Sequence, residues 1–99
     1  MRLTTHQITT IKNVAQNVLG ADAQVILFGS RVDDALRGGD IDLLIESQAH
    51  VANKTQAVGQ IYAKLIRNLG DRKIDIIIKD PVSEPSTVIH FAKETGVQL

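Results

Sequence analysis

Two aspartates at alternate positions open an apolar segment of the chain. Asp40 and Asp42 lie in the stretch GGDIDLLIE. Side chains two residues apart in a strand project from the same face, so this spacing predicts two carboxylates held side by side. Carboxylates that close together repel each other unless a cation lies between them. The pair therefore predicts a divalent metal site. Mg²⁺ suits it because that ion prefers hard oxygen ligands and accepts substrate phosphates.

Asp75 extends the pair to a predicted cluster of three carboxylates. It lies inside another apolar segment, KIDIIIK, and joins Asp40 and Asp42 if the two strands are neighbours in one sheet. In that arrangement Asp75 stands where an acceptor hydroxyl must lose its proton. The alternative is a solvated edge charge that pairs with Arg72 or Lys73.

A glycine-serine turn upstream supplies the predicted phosphate site. The apolar segment AQVILF runs directly into Gly29 and Ser30. Glycine lets a backbone approach a phosphate closely, and serine adds a hydroxyl donor. Arg31 and Arg37 flank this turn, where they could neutralise phosphate charge. The alternatives are an ordinary strand-to-helix turn for the glycine-serine pair and solvated loop side chains for the two arginines.

The elements that must position these residues alternate between helix and strand. Apolar spacing predicts helices over 4–19, 51–69 and 85–94, strands over 23–28, 41–46 and 72–79, and a helical turn over 32–36. Thr4 and Gln7 fit a capping box at the first helix. Tyr62 falls on the apolar stripe of the second helix, which predicts a core position. The order predicts an α/β (α+β) fold, a small mixed β-sheet with flanking helices. The pairing of the first two strands stays open between parallel and antiparallel.

Length and composition limit the classes of function. The 99 residues, with eleven basic and eleven acidic side chains and no cysteine, predict a single domain over residues 1–99. Zero net charge argues against general nucleic-acid binding and against attraction to an anionic membrane. The absence of cysteine fits a reducing compartment, and the polar start lacks the apolar core of a signal peptide. We therefore expect a cytoplasmic protein.

The stretch FGSRVDDALRGGDIDLLIE, followed by KIDIII, resembles the nucleotidyltransferase superfamily of DNA polymerase β. Its pattern is Gly-Ser, a spacer, Asp-x-Asp and a later lone aspartate between apolar residues. In length, in its GSR start and in its closing PSTVIHFAKETGVQL, the chain is similar to the minimal nucleotidyltransferases. These are small proteins often encoded beside a helical HEPN-domain partner, with which they act as antitoxin and toxin. The resemblance implies a polymerase β palm-like fold.

The resemblance also implies a role for each matched residue. Gly29 and Ser30 would hold the triphosphate, Asp40 and Asp42 would bind metal, and Asp75 would be the third ligand and activate the acceptor. The implied reaction is AMP transfer from ATP, with Mg²⁺, to a tyrosine of the HEPN partner.

Departures from the family pattern keep a second hypothesis open. Asp33 and Asp34 follow GSR-Val, and Gly39 stands where relatives often have serine. Extra carboxylates near a triphosphate repel it unless they face solvent. The alternative to an enzyme is a non-catalytic antitoxin that neutralises its partner by occlusion. A third hypothesis, an enzyme that acts on a small molecule, has less support, because little chain remains to build an acceptor pocket. A partner or second subunit would supply that surface, which leaves homo- and hetero-oligomers open.

Overall fold

A four-stranded mixed sheet forms the centre of the described structure. The computed structural model describes residues 3–29, 41–70 and 73–99. The strands lie in the order β3-β2-β1-β4, with β1 antiparallel to β2 and to β4, and β2 parallel to β3. The elements in these ranges are α1 Thr5–Leu19, β1 Gln24–Phe28, β2 Ile41–Glu46, α2 Lys54–Leu69, β3 Ile74–Lys79, α3 Thr87–Thr95 and β4 Val97–Gln98.

The two faces of the sheet are covered unequally. On one face, β1 and β2 contribute Leu27, Leu43 and Ile45 to a core that includes side chains of α1 and α2. On the opposite face, Ile26 and Leu44 pack with residues of α3 in a smaller cluster. Strands buried on both faces need nearly continuous apolar sequence, as β1 and β2 have. The two clusters confirm the predicted α+β fold with helices flanking a mixed sheet.

Capping residues set the starts of the helices. Thr4 and Gln7 form the predicted capping box: the Thr4 side chain accepts from the Gln7 N–H, and the Gln7 side chain accepts from the Thr4 N–H. Helix α2 begins at Lys54, three residues later than predicted, because the Asn53 side chain accepts from the Gln56 N–H. Ser86 likewise caps α3, which moves its start beyond the predicted residue 85.

Several details differ from the sequence-based expectation. Strand β4 follows α3 and was not predicted, and β3 begins at Ile74 rather than at 72. Tyr62 is 41% exposed, so the prediction of a core position was wrong. The helical turn predicted over 32–36 lies outside the described residues. Among the helices of the described ranges, none is long and apolar enough to cross a membrane.

Candidate active site

Two of the predicted aspartates lie side by side on neighbouring strands. Asp42 of β2 is the register partner of Asp75 of β3. Across the other edge of β2, Asp42 is the partner of Phe28. Adjacent strands lie about 4.8 Å apart, and register partners share a face. The sheet therefore carries one row, Phe28, Asp42 and Asp75, in which two carboxylates are neighbours.

The row differs in burial from strand to strand. Phe28 is 8% exposed, Asp42 is half-buried and Asp75 is exposed. This gradient results from the position of the strands, since β3 is at the edge of the described sheet and β2 is inside it. An acceptor group or a hydrated ion can therefore approach the row from the β3 side.

Gly29 brings backbone directly against the Asp42 carboxylate. Its φ is +79°, a left-handed conformation that side-chain-bearing residues rarely adopt. A Cβ at this position would collide with Oδ2 of Asp42. Both constraints require glycine at the end of β1. The predicted turn and the predicted metal ligand are thus adjacent in the folded chain.

The remaining predicted site residues lie in one segment of the chain. Ser30, Arg31, Arg37 and Asp40 fall within 30–40, outside the described residues, as do Asp33 and Asp34. Within 3–29, 41–70 and 73–99, no group of three or more histidine, cysteine, aspartate or glutamate side chains forms a metal site. Asp42 and Asp75, the described members of the predicted cluster, offer carboxylate oxygens from one face of the sheet. Carboxylate oxygens are the type of ligand that a hard cation such as Mg²⁺ prefers.

A comparison with protein families assigns the fold. A family model described as a nucleotidyltransferase domain matches residues 8–97. The chain belongs to this nucleotidyltransferase family. The assignment confirms the resemblance to the polymerase β superfamily and indicates nucleotidyl transfer as the general activity. No curated protein matches the chain at a significant level.

A second polar cluster of this nucleotidyltransferase lies at the other end of β3. Asp80 is 1% exposed, five residues beyond Asp75, which corresponds to roughly 16 Å of extended chain. Its carboxylate accepts from the Val51 N–H at 2.9 Å and contacts His50 Nδ1 at 3.0 Å. Lys54 Nζ lies 3.4 Å from the other oxygen. Asp80 therefore connects the end of β3, by hydrogen bonds, to the segment that leads into α2.

Hydrogen bonds hold Asp80 in its charged form. The backbone N–H of Val51 makes the largest contribution and lowers the pKa of Asp80 far below its usual range, against an opposing effect of burial. Ser83 donates its hydroxyl to Asp80 Oδ1 at 3.0 Å. The strand predicted over 72–79 leaves Asp80 just beyond its end, and no role for this residue was predicted from the sequence. The signal for its turn was present in Asp-Pro-x-Ser, since aspartate and serine at these positions favour local turns.

Proposed function

We propose that the chain is a Mg²⁺-dependent nucleotidyltransferase that transfers AMP from ATP to a hydroxyl group. The single observation that supports it best is the pairing of Asp42 with Asp75, with the Gly29 backbone against the Asp42 carboxylate. The chain belongs to the nucleotidyltransferase family, and it has two neighbouring carboxylates that can hold a metal ion beside a glycine turn that leaves room for a phosphate. Phosphoryl transfer requires both features. Asp40 and Ser30 belong to this proposal on the strength of the sequence motif.

Each residue has a defined task in the proposed reaction. Asp40, Asp42 and Asp75 would hold Mg²⁺, which when bound would offset the charge of the phosphates. Gly29 leaves room for the triphosphate next to the carboxylates, and Ser30 would donate its hydroxyl to a phosphate oxygen. Asp75 would accept the proton of the acceptor hydroxyl. The acceptor oxygen forms a bond to the α-phosphorus, the bond from that phosphorus to the bridging oxygen breaks, and pyrophosphate leaves.

The proposed acceptor is a tyrosine of a HEPN-domain partner. Support for this comes from the resemblance to minimal nucleotidyltransferases in the GSR start and in the closing segment. Modification of that tyrosine would silence the partner, which makes the chain an antitoxin. Exposed apolar side chains on α3, Val88 and Phe91, favour contact with another molecule and also suit the alternative, an antitoxin that acts by occlusion alone.

The test is the intact mass of the adjacent gene's product after incubation with this protein, ATP and Mg²⁺. We expect the mass to rise by one or more AMP units. Asp42→Asn should abolish the gain, and Asp75→Asn should slow it by roughly 10²–10⁴-fold through loss of the base. Asp22→Asn is the matched control, because Asp22 is an exposed aspartate just before β1, away from the row.

The outcomes separate the two hypotheses. An unmodified partner that forms a stable complex with both the native protein and Asp42→Asn would refute modification and support occlusion. A mass gain that persists in Asp42→Asn would show that the carboxylate row is not the catalytic site.

A further inference from the structure

The face of the sheet that carries the aspartates also carries helix α3. Register places Phe28, Asp42 and Asp75 in one row, and Ile26, Leu44 and Ile77 in the next row of the same face. Ile26, Phe28, Leu44 and Ala92 of α3 form one cluster, with Ile77 and Ile89 packed against it. Helix α3 therefore covers the second row, immediately beside the carboxylates.

The two flanks of α3 are chemically different. On one flank, Lys93 Nζ lies 3.3 Å from Glu46 Oε2, at the end of β2 remote from Asp42. On the other flank, the ring of Phe91 meets the ring of Phe28 edge-to-face, with centroids 6.5 Å apart. Because Phe28 is the register partner of Asp42, the aromatic flank faces the carboxylate row.

Phe91 is positioned to contact a substrate. It is 51% exposed, although a ring of this size is usually buried more fully in a core. The Phe28 ring packs against the Phe91 ring in the edge-to-face geometry that aromatic pairs prefer, which restrains the orientation of Phe91. Val88, one helical turn earlier, is 48% exposed and extends the same apolar wall.

The position of this wall relative to Gly29 suggests the occupant. Gly29 follows Phe28 directly in the chain, so the proposed phosphate site and the aromatic wall adjoin each other. One strand spacing of about 4.8 Å separates the backbone of Phe28 from that of Asp42. A nucleotide whose phosphates lie over Gly29 and Asp42 can therefore extend its base toward the paired rings of Phe28 and Phe91. Flat aromatic side chains bind any base by stacking.

We propose that Phe91, with Val88, forms the surface against which the base of the nucleoside triphosphate stacks. This inference rests on the proposed function, since it assumes that the triphosphate binds at Gly29 and Asp42. Stacking without hydrogen bonds to the base edge predicts weak discrimination between bases, with purines bound more tightly than pyrimidines because of their larger rings.

The test compares two probes, Mg-ATP and Mg-tripolyphosphate, by titration calorimetry. We expect native protein to bind Mg-ATP more tightly than Mg-tripolyphosphate. Phe91→Ala should weaken Mg-ATP binding by roughly 5–100-fold and leave tripolyphosphate binding unchanged. Phe91→Trp should retain the affinity for Mg-ATP. Phe91→Leu keeps apolar volume on Phe28 but lacks a flat ring, so it should also lose affinity while the fold is maintained.

Tyr62→Ala is the matched control. Tyr62 is a similarly exposed aromatic residue on α2, the helix whose buried residues pack in the cluster on the opposite face. Its removal should change neither affinity. Equal Mg-ATP binding by native protein, Phe91→Ala and Phe91→Leu would overturn the stacking proposal and leave the proposed function standing. If those variants bound the acceptor protein less tightly instead, Phe91 would belong to the acceptor surface. Failure of native protein to bind either probe would overturn the proposed function itself, and this inference with it.

Discussion

Replacement of Gly29 by alanine should disturb the candidate site more than it disturbs the fold. The left-handed backbone at φ +79° penalises any side chain, at a cost of about 1–3 kcal/mol. Reduced freedom of the unfolded chain offsets roughly 0.4–1 kcal/mol of that cost. The new Cβ also collides with Asp42 Oδ2, but this atom is the tip of a side chain that can rotate. The collision therefore adds about 1 kcal/mol, the lower end of the cost of overpacking.

Activity should fall much further than stability. Relief of the collision requires the Asp42 carboxylate to move away from Gly29, and a displacement of about 1 Å in a catalytic group can cost roughly a hundredfold in rate. We expect Gly29→Ala to remain folded, with its free energy of unfolding lowered by about 1–4 kcal/mol, and to lose most nucleotidyl transfer. Urea unfolding and the mass-gain assay measure the two effects on the same preparation.

A double-mutant cycle isolates the collision from the backbone strain. In the Asp42→Ala background the carboxylate is gone, so Gly29→Ala should cost about 1 kcal/mol less than in native protein. Gly20→Ala is the control, because Gly20 also has positive φ, +107°, but a Cβ there meets nothing within 4 Å. Its cost should be the same in both backgrounds, within roughly 0.5 kcal/mol. Equal costs for Gly29→Ala in both backgrounds would refute the contact between this turn and the Asp42 carboxylate.

Three further predictions concern stability. The lowered pKa of Asp80 contributes stability that is fully present above the ordinary carboxyl pKa of about 3.9 and is lost as pH falls below it. The free energy of unfolding, measured with urea between pH 6 and 2.5, should therefore decrease below pH 4. Asp80→Asn should remove most of this dependence of the free energy on pH. An unchanged slope would contradict this role of Asp80. Leu65→Ala empties a fully buried position of α2 and should lower the free energy of unfolding by about 2–5 kcal/mol, whereas Tyr62→Ala should change it far less. Thr4→Ala removes the capping box and should cost about 0.5–2 kcal/mol, and a loss below 0.3 kcal/mol would show that the cap does not matter.

The sequence was informative where one local signal determined the structure. Apolar segments marked β1 and β2, and Gly20 and Gly70 ended the helices at the predicted positions. The capping box at Thr4 was predictable because both of its hydrogen bonds join residues three apart. The pairing of Asp42 with Asp75 was predicted conditionally, since it depended on which strands are neighbours.

Features that depend on distant partners were missed. Strand β4 has only two residues, both exposed, so it leaves no periodic pattern; it exists because Val97 and Gln98 pair with β1. Two of the partners of Asp80, His50 and Val51, come from a segment about thirty residues earlier, and no local pattern reveals these contacts. Tyr62 lies at the margin of the apolar stripe of α2, where helical spacing alone does not separate a buried position from an exposed one.

The parallel register between β2 and β3 links the assembly of the candidate site to the folding of the core. Sliding one strand by a single residue would turn Asp42 or Asp75 to the opposite face and would bring Leu43 or Ile76 out of the core with it. A chain that buries its apolar side chains correctly has therefore already aligned its two carboxylates. Refolding from urea should restore nucleotidyl transfer in step with the far-UV circular dichroism signal of the helices and sheet, with no later phase in which the site matures.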